Sequence, residues 1–209
     1  MNMRFYMTPG SCSTGIHILL EELELVFEAH WVDLLKGDNQ HPDYLALNPK
    51  GTIPTLVSRD GSVFTDYVSI AWWLGRNHPD AGLIPGDLKG ELHVLELMNY
   101  AVHVIHGQGF TRVFTPEQYL SAGGERERVI SRGKDLVGSG FSWLSAKMVA
   151  GDVPTEFSLA DPALFYIEFW ADRIGLALPP VCREHYNRML LRPAVRRVLM
   201  EEGYGSLFR

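Results

Sequence analysis

Cysteine is scarce in this chain: there are two in 209 residues, Cys12 and Cys182, far apart in sequence. A disulfide scaffold shows many cysteines in a short secreted chain, so the scarcity excludes that class and points to a reducing cytosol. Long apolar runs are missing too. None approaches the ~20 residues that span a bilayer, and the opening "MNMRFYMTPG" lacks the apolar stretch of a secretory signal. Positive charge is in deficit, 19 Lys and Arg against 25 Asp and Glu with no basic block, which argues against nucleic acid as a main partner. What is present is apolar: 46% of residues are hydrophobic, enough for a core in one compact domain or two small ones. The expectation is a soluble, acidic, cytoplasmic globular protein.

The first eighty residues alternate short strands and helices. "MRFYM" (3–7) is β-type and closes at Pro9-Gly10, after which Ile16, Leu19, Leu20 and Leu23 follow helical spacing. "VFEAHWVDL" (26–34) has the aromatic and β-branched content of a strand, and a helical turn is expected around Tyr44–Leu47. Asp60-Gly61 between two β-prone runs signals a hairpin, and "YVSIAWWLGRNH" (67–78) reads as a helix. "PDAGLIPGDLKG" (79–90) has the composition of a linker. Beyond it no strand is expected. Leu92, Leu95, Asn99 and Val102 mark one helical stripe, and 117–148 reads as helix despite five glycines. "FSLADPALFYIEFWADRIGL" (157–176), apolar nearly all round, reads as a buried helix.

Three features carry chemistry. Cys12 stands where a strand turns into a helix, and the unpaired N–H groups of a helix start stabilise an anion there. Such a thiol tends toward a lowered pKa, or the same N–H groups hold a ligand's thiolate; a small buried cysteine filling space is the other reading. In "NPKGTIP" (48–54) Pro54 opens a strand-like run, a place for a cis bond that leaves the preceding backbone free to pair with an extended peptide. In "FTDYVSIAWWL" (64–74) Asp66 is either a helix N-cap or a carboxylate for a ligand's ammonium. His103 and His106 have a ligand-like spacing, but no third ligand matches, so no metal site is expected. Cys182, beside "PPV", has no such context.

Taken together, "PGSCS" (9–13), "NPKGTIPTL" (48–56), "TDYVSIAWWL" (65–74) and "SLAD" (158–161) resemble, in order and spacing, the motifs of the cytosolic glutathione transferase superfamily, and the bacterial beta class most closely. In "SLAD", Ser158 at the N-cap and Asp161 at N3 form a capping box. The resemblance implies an α/β thioredoxin-like N-terminal domain at 1–80 that binds glutathione. It implies an all-α C-terminal domain at 90–209 that carries the electrophile site. Cys12 would face the glutathione sulfur, hydrogen-bonding its thiolate or forming a mixed disulfide. Ile53, before Pro54, would pair with the cysteinyl backbone, Asp66 would meet the γ-glutamyl amine, and the Tyr67 N–H its carboxylate. Lys36 would lie near the glycyl carboxylate. Asn99 and His106 match the beta-class Asn-x6-His, with His106 near the sulfur. Tyr100, His103, His106, Phe110 and Phe114 would line an apolar pocket.

The resemblance implies a glutathione-dependent transferase, conjugating or transferring the thiol to a small hydrophobic electrophile, cytoplasmic, detoxifying and homodimeric. Departures keep two alternatives open. Tyr67 replaces the family's small Ser or Gly, Asp66 is one methylene shorter than its Glu, and Gly107 stands where the beta class has Lys. The alternatives are a zeta-type isomerase of maleyl substrates, which Ser11-Cys12 echoes, and a protein-binding member that has lost glutathione.

Overall fold

The computed structural model describes residues 2–121 and 123–208. Strand β1 (Met3–Met7) buries Met3, Phe5 and Met7 and leaves Arg4 and Tyr6 partly exposed, the period-two pattern of a sheet covered on one face. The chain crosses over through α1 (Ser13–Glu22) and returns as β2 (Phe27–Trp31), parallel to β1 with Met3 opposite Phe27 and Met7 opposite Trp31. A parallel pair requires such a crossover. Ile16, Leu19 and Leu20 of α1 are fully buried, as their spacing predicts.

After α2 (Pro42–Leu47), strands β3 (Thr55–Val57) and β4 (Val63–Phe64) form the expected hairpin. Gly61, with φ 89°, makes the turn, and the Asp60 carboxylate accepts from Ser58 Oγ and from the Ser62 N–H at 3.0 Å. β3 runs antiparallel to β1, with Phe5 opposite Leu56. The result is one mixed sheet in the order β2-β1-β3-β4, that of a thioredoxin-like unit, followed by α3 (Tyr67–Asn77).

Packing divides the chain into two units, residues 1–84 with 189–209, and residues 85–188. The sequence reading assigned 189–209 to the helical domain; α9 (Pro193–Glu201) packs instead on the first unit. Arg192 grips Glu22 with two bonds of 2.6 and 2.8 Å, and Arg197 meets Glu21 at 2.6 Å. Such partners lie at opposite ends of the chain, and no local pattern announces them.

In the helical unit, α4 (Leu88–Asn99), a π-helical segment (Tyr100–Phe110) and α5 (Thr111–Phe114) follow directly on one another. The buried stripe is Val94, Leu97, Met98, Ala101 and Ile105, which corrects the expected one: Leu92 and Asn99 face solvent. Both series have helical spacing, and only the packing partner decides between them. The helix expected over 117–148 is also divided. A 3-10 turn at Pro116–Tyr119 precedes a break where Gly123 has φ 78°, and α6 (Arg126–Ala150) begins after it. Within α6, Gly133 and Gly140 are packing devices. A Cβ on Gly140 would sit 2.5 Å from Ile105 Cγ1, so only glycine admits the π-helical segment this closely.

The buried helix is α7 (Ala160–Arg173), its side chains interior from Pro162 to Ala171. The Asp161 carboxylate accepts the Ser158 N–H at 2.7 Å, as the motif predicts, but the N-cap is Leu159: Ser158 Oγ accepts the Ala160 N–H at 3.3 Å, and the Asp161 N–H turns to Ser158 O. The chain continues through α8 (Pro180–Leu191). Among the described residues, no helix is long and apolar enough to cross a membrane.

Candidate functional site

The turn from β1 into α1 is held by its own hydroxyls. Thr8 Oγ1 donates to Val32 O at 2.6 Å, Ser13 Oγ to Thr8 O at 3.0 Å, and Glu202 accepts the Gly10 N–H at 2.7 Å. These bonds also use helix-start amides expected to be exposed. The Ser13 N–H donates to Ser11 Oγ and the Thr14 N–H to Ser11 O, both at 3.1 Å, while the Gly15 N–H turns to Cys12 O.

Cys12 sits at the N-cap of α1 and is 8% exposed, with Sγ 3.7 Å from Ile53 O. Burial pushes its thiol up to about 12; the N–H groups of Cys12 and Ser13 pull the other way without overcoming it, and the Asp66 charge adds to the rise. The expected lowering is therefore corrected: desolvating a thiolate costs more here than a helix start returns. At neutral pH Cys12 carries an S–H donor.

The segment that faces it is rigidly held. Asn48, buried, donates from Nδ2 to Thr52 O at 2.8 Å and to Thr55 Oγ1 at 3.1 Å, and Tyr44 donates its hydroxyl to Thr52 O at 2.6 Å. The Ile53–Pro54 peptide bond is cis, and Pro54 is buried.

Asp66 occupies the N-cap position of α3 without capping it. Its Oδ1 accepts from Thr52 Oγ1 and its Oδ2 from Lys50 Nζ, each at 2.8 Å, so the carboxylate faces the "NPKGT" segment rather than its own helix. Lys50 and Thr52 were not singled out from the sequence, although they lie inside the quoted motif. Tyr67 is 1% exposed; its side chain is a core element, and burial with the nearby Cys12 raises its pKa. The structure thus brings together Cys12, Ile53, Pro54, Asp66 and Tyr67 from three separate segments. Lys36 is not among them: it lies on the exposed loop after β2, paired with Asp33 at 3.0 Å.

In the helical unit His106 lies on the π-helical segment. Its Nδ1 is 3.2 Å from the Tyr166 hydroxyl, and its ring meets Trp170 edge-on at 4.8 Å. Burial lowers its pKa to about 4, helped by His103, so the imidazole is neutral. Tyr166 and Trp170, both on α7, were missed because aromatic residues on an all-apolar helix read as core. Of the residues expected to line a pocket, Phe110 is interior and stacks on the half-exposed Phe114 at 5.6 Å, while Tyr100 stacks on Trp143 at 3.9 Å. The Asn99 side chain bonds back to Leu95 O at 2.8 Å.

Residues 10–77 match the model of the glutathione S-transferase N-terminal domain. The chain is 31% identical over 211 aligned positions to glutathione S-transferase GstA of Escherichia coli O157:H7, an alignment covering 96% of this chain and 99% of that one. It resembles the structure of a Sulfitobacter glutathione transferase homologue with bound glutathione, at a TM-score of 0.88, 25% identity and coverage of 96% and 98%. It is also similar to a bacterial beta-class glutathione S-transferase of Sphingomonas chungbukensis, at a TM-score of 0.83, 26% identity and coverage of 96% and 99%.

Proposed function

Because this chain belongs to the glutathione S-transferase family, we propose that it lays glutathione along the first unit, beside Cys12, and delivers the activated sulfur to a small hydrophobic electrophile. The activity is that of a glutathione transferase, with glutathione as co-substrate. The observation that carries the placement is the approach of Cys12 Sγ to Ile53 O at 3.7 Å, with Asp66 in electrostatic reach of the same sulfur.

Cys12 is a donor in this reading. A thiol pushed up to about 12 by burial is protonated at neutral pH, which favours hydrogen bonding over a mixed disulfide. The Cys12 S–H donates to the glutathione sulfur once that sulfur has released its proton to solvent water. Lowering a thiol from ~8.5 to ~6.5 raises its thiolate fraction at pH 7 from about 3% to about 75%, for about 2.7 kcal/mol of preferential stabilisation. The thiolate then attacks the electrophilic carbon, a C–S bond forms, and the leaving group departs with its electron pair. Ile53 offers its backbone to the cysteinyl part of the peptide, Asp66 its carboxylate to the γ-glutamyl amine, and Tyr67 its N–H to the γ-glutamyl carboxylate. Lys36 and Asn99 serve the ligand only by leaving their present partners. His106, neutral and held by Tyr166, is a hydrogen-bonding group in an aromatic cluster, which supports a hydrophobic electrophile. The proposal extends to a cytoplasmic, detoxifying homodimer; two free cysteines suit a reducing compartment.

Retention on immobilised glutathione, with turnover of an aryl halide, tests the reading. Failure of both sinks it in favour of a protein-binding member, and isomerisation of a maleyl substrate without conjugation would favour the zeta-type alternative.

A further inference from the structure

His17, one turn into α1, is buried, with its side chain 4% exposed. Its Nδ1 lies 2.9 Å from Glu202 Oε1, and the other Glu202 oxygen accepts the Gly10 N–H at 2.7 Å and the Thr14 hydroxyl at 2.6 Å. With Nδ1 turned to Glu202, Nε2 faces the opposite way, toward α9. Among the described residues Nε2 makes no hydrogen bond. What faces it is carboxylate: Glu201 Oε2 is 3.4 Å away but out of line, and one oxygen of Glu21 completes a trio whose atoms all lie within 4.8 Å of one another. Oxygen lone pairs converging on an imidazole nitrogen call for a cation.

We infer that His17 Nε2, Glu21 and Glu201 form a binding site for a divalent transition cation of the zinc type. One imidazole and two carboxylates suit such an ion, with water in the remaining position. Glu202 supplies the outer contact, fixing the tautomer and the ring plane as a carboxylate does behind a metal-bound histidine. Ligand atoms around tetrahedral zinc stand about 3.4 Å apart at bond lengths of ~2.1 Å. Glu201, more than half exposed, closes the remaining gap by side-chain rotation. Glu21 also accepts from Arg197 at 2.6 Å, so its carboxylate would be shared between that guanidinium and the metal. His17 and Glu21 stand four apart on one face of α1, and α9 supplies Glu201, so the ion would clamp the C-terminal helix to the helix that begins at Cys12.

The test is calorimetric titration of the intact chain with Zn2+ alone, without glutathione, followed by Co2+ absorption. The expected result is one saturable site. Its cobalt spectrum should have ligand-field bands and no thiolate charge-transfer band, and Glu201→Gln should weaken binding at least tenfold. At a hundredfold excess over Kd, Zn2+ should raise the thermal midpoint by about 5–10 °C, and Glu201→Gln should lose most of that rise. His17→Gln should abolish binding; the exposed Glu201 keeps the test valid if that variant does not fold. No saturable heat, a thiolate band, or unchanged affinity in Glu201→Gln overturns the inference. None of these outcomes bears on glutathione turnover.

Discussion

Replacing Cys12 by alanine separates a donor of a hydrogen bond from a filler of space. If the S–H donates to the glutathione thiolate, its loss removes a bond to a charged acceptor worth ~1.5–3 kcal/mol, or about one to two pKa units on the bound thiol. The sign follows from the charge: losing a donor disfavours the thiolate, so the pKa of the bound sulfur rises. Below both pKa values the conjugation rate should fall about 10–100-fold, and above the raised value the two profiles should converge. Cys12, at about 12, stays protonated throughout, so the inflection belongs to glutathione. Stability should suffer less: losing one buried sulfur costs about 1 kcal/mol, or ~2–4 °C in Tm. The measurement is the pH dependence of kcat/KM with an aryl halide, beside thermal melts. An unshifted profile, with activity lost only in proportion to stability, would refute the role and return Cys12 to core filling.

Asp66→Asn should raise the glutathione KM several-fold and change kcat little, because the carboxylate touches no reacting atom; steady-state kinetics at saturating electrophile reads the split. A second expectation concerns the buried trio in which His185 Nδ1 is 2.7 Å from Glu168 and Nε2 is 3.1 Å from Asp161. Burial pulls His185 down, but the Glu168 charge and the two hydrogen bonds outweigh it and raise the pKa to about 10. A pKa raised on folding adds stability below the unfolded value, ~6.5, that is lost as pH climbs to about 10. Urea midpoints should fall across that window in the wild type, while His185→Gln should flatten the slope and cost ~3–5 kcal/mol at pH 6. Gly140→Ala should lower Tm by ~2–8 °C although alanine favours helix, since the added Cβ meets Ile105 at 2.5 Å; a melting curve decides.

Legibility tracked locality. The Asp60-Gly61 hairpin and the Ser158–Asp161 pairing follow from short patterns, whose contacts lie within a few residues. The partners of Asp66 were missed because the N-cap position argues for a cap, whereas Lys50 and Thr52 arrive from another segment and take both oxygens. The buried stripe of α4 was misjudged by a rotation that periodicity alone leaves open.

By itself the sequence determined the element order and the strands followed by helices, because propensity, turn residues and capping act over a few positions. Tertiary structure alone decided that Cys12 is a neutral thiol, that α9 returns to the first unit, and that His17 faces Glu21 and Glu201. Desolvation and long-range charge depend on what surrounds a group in space, and that environment exists only once the chain has packed.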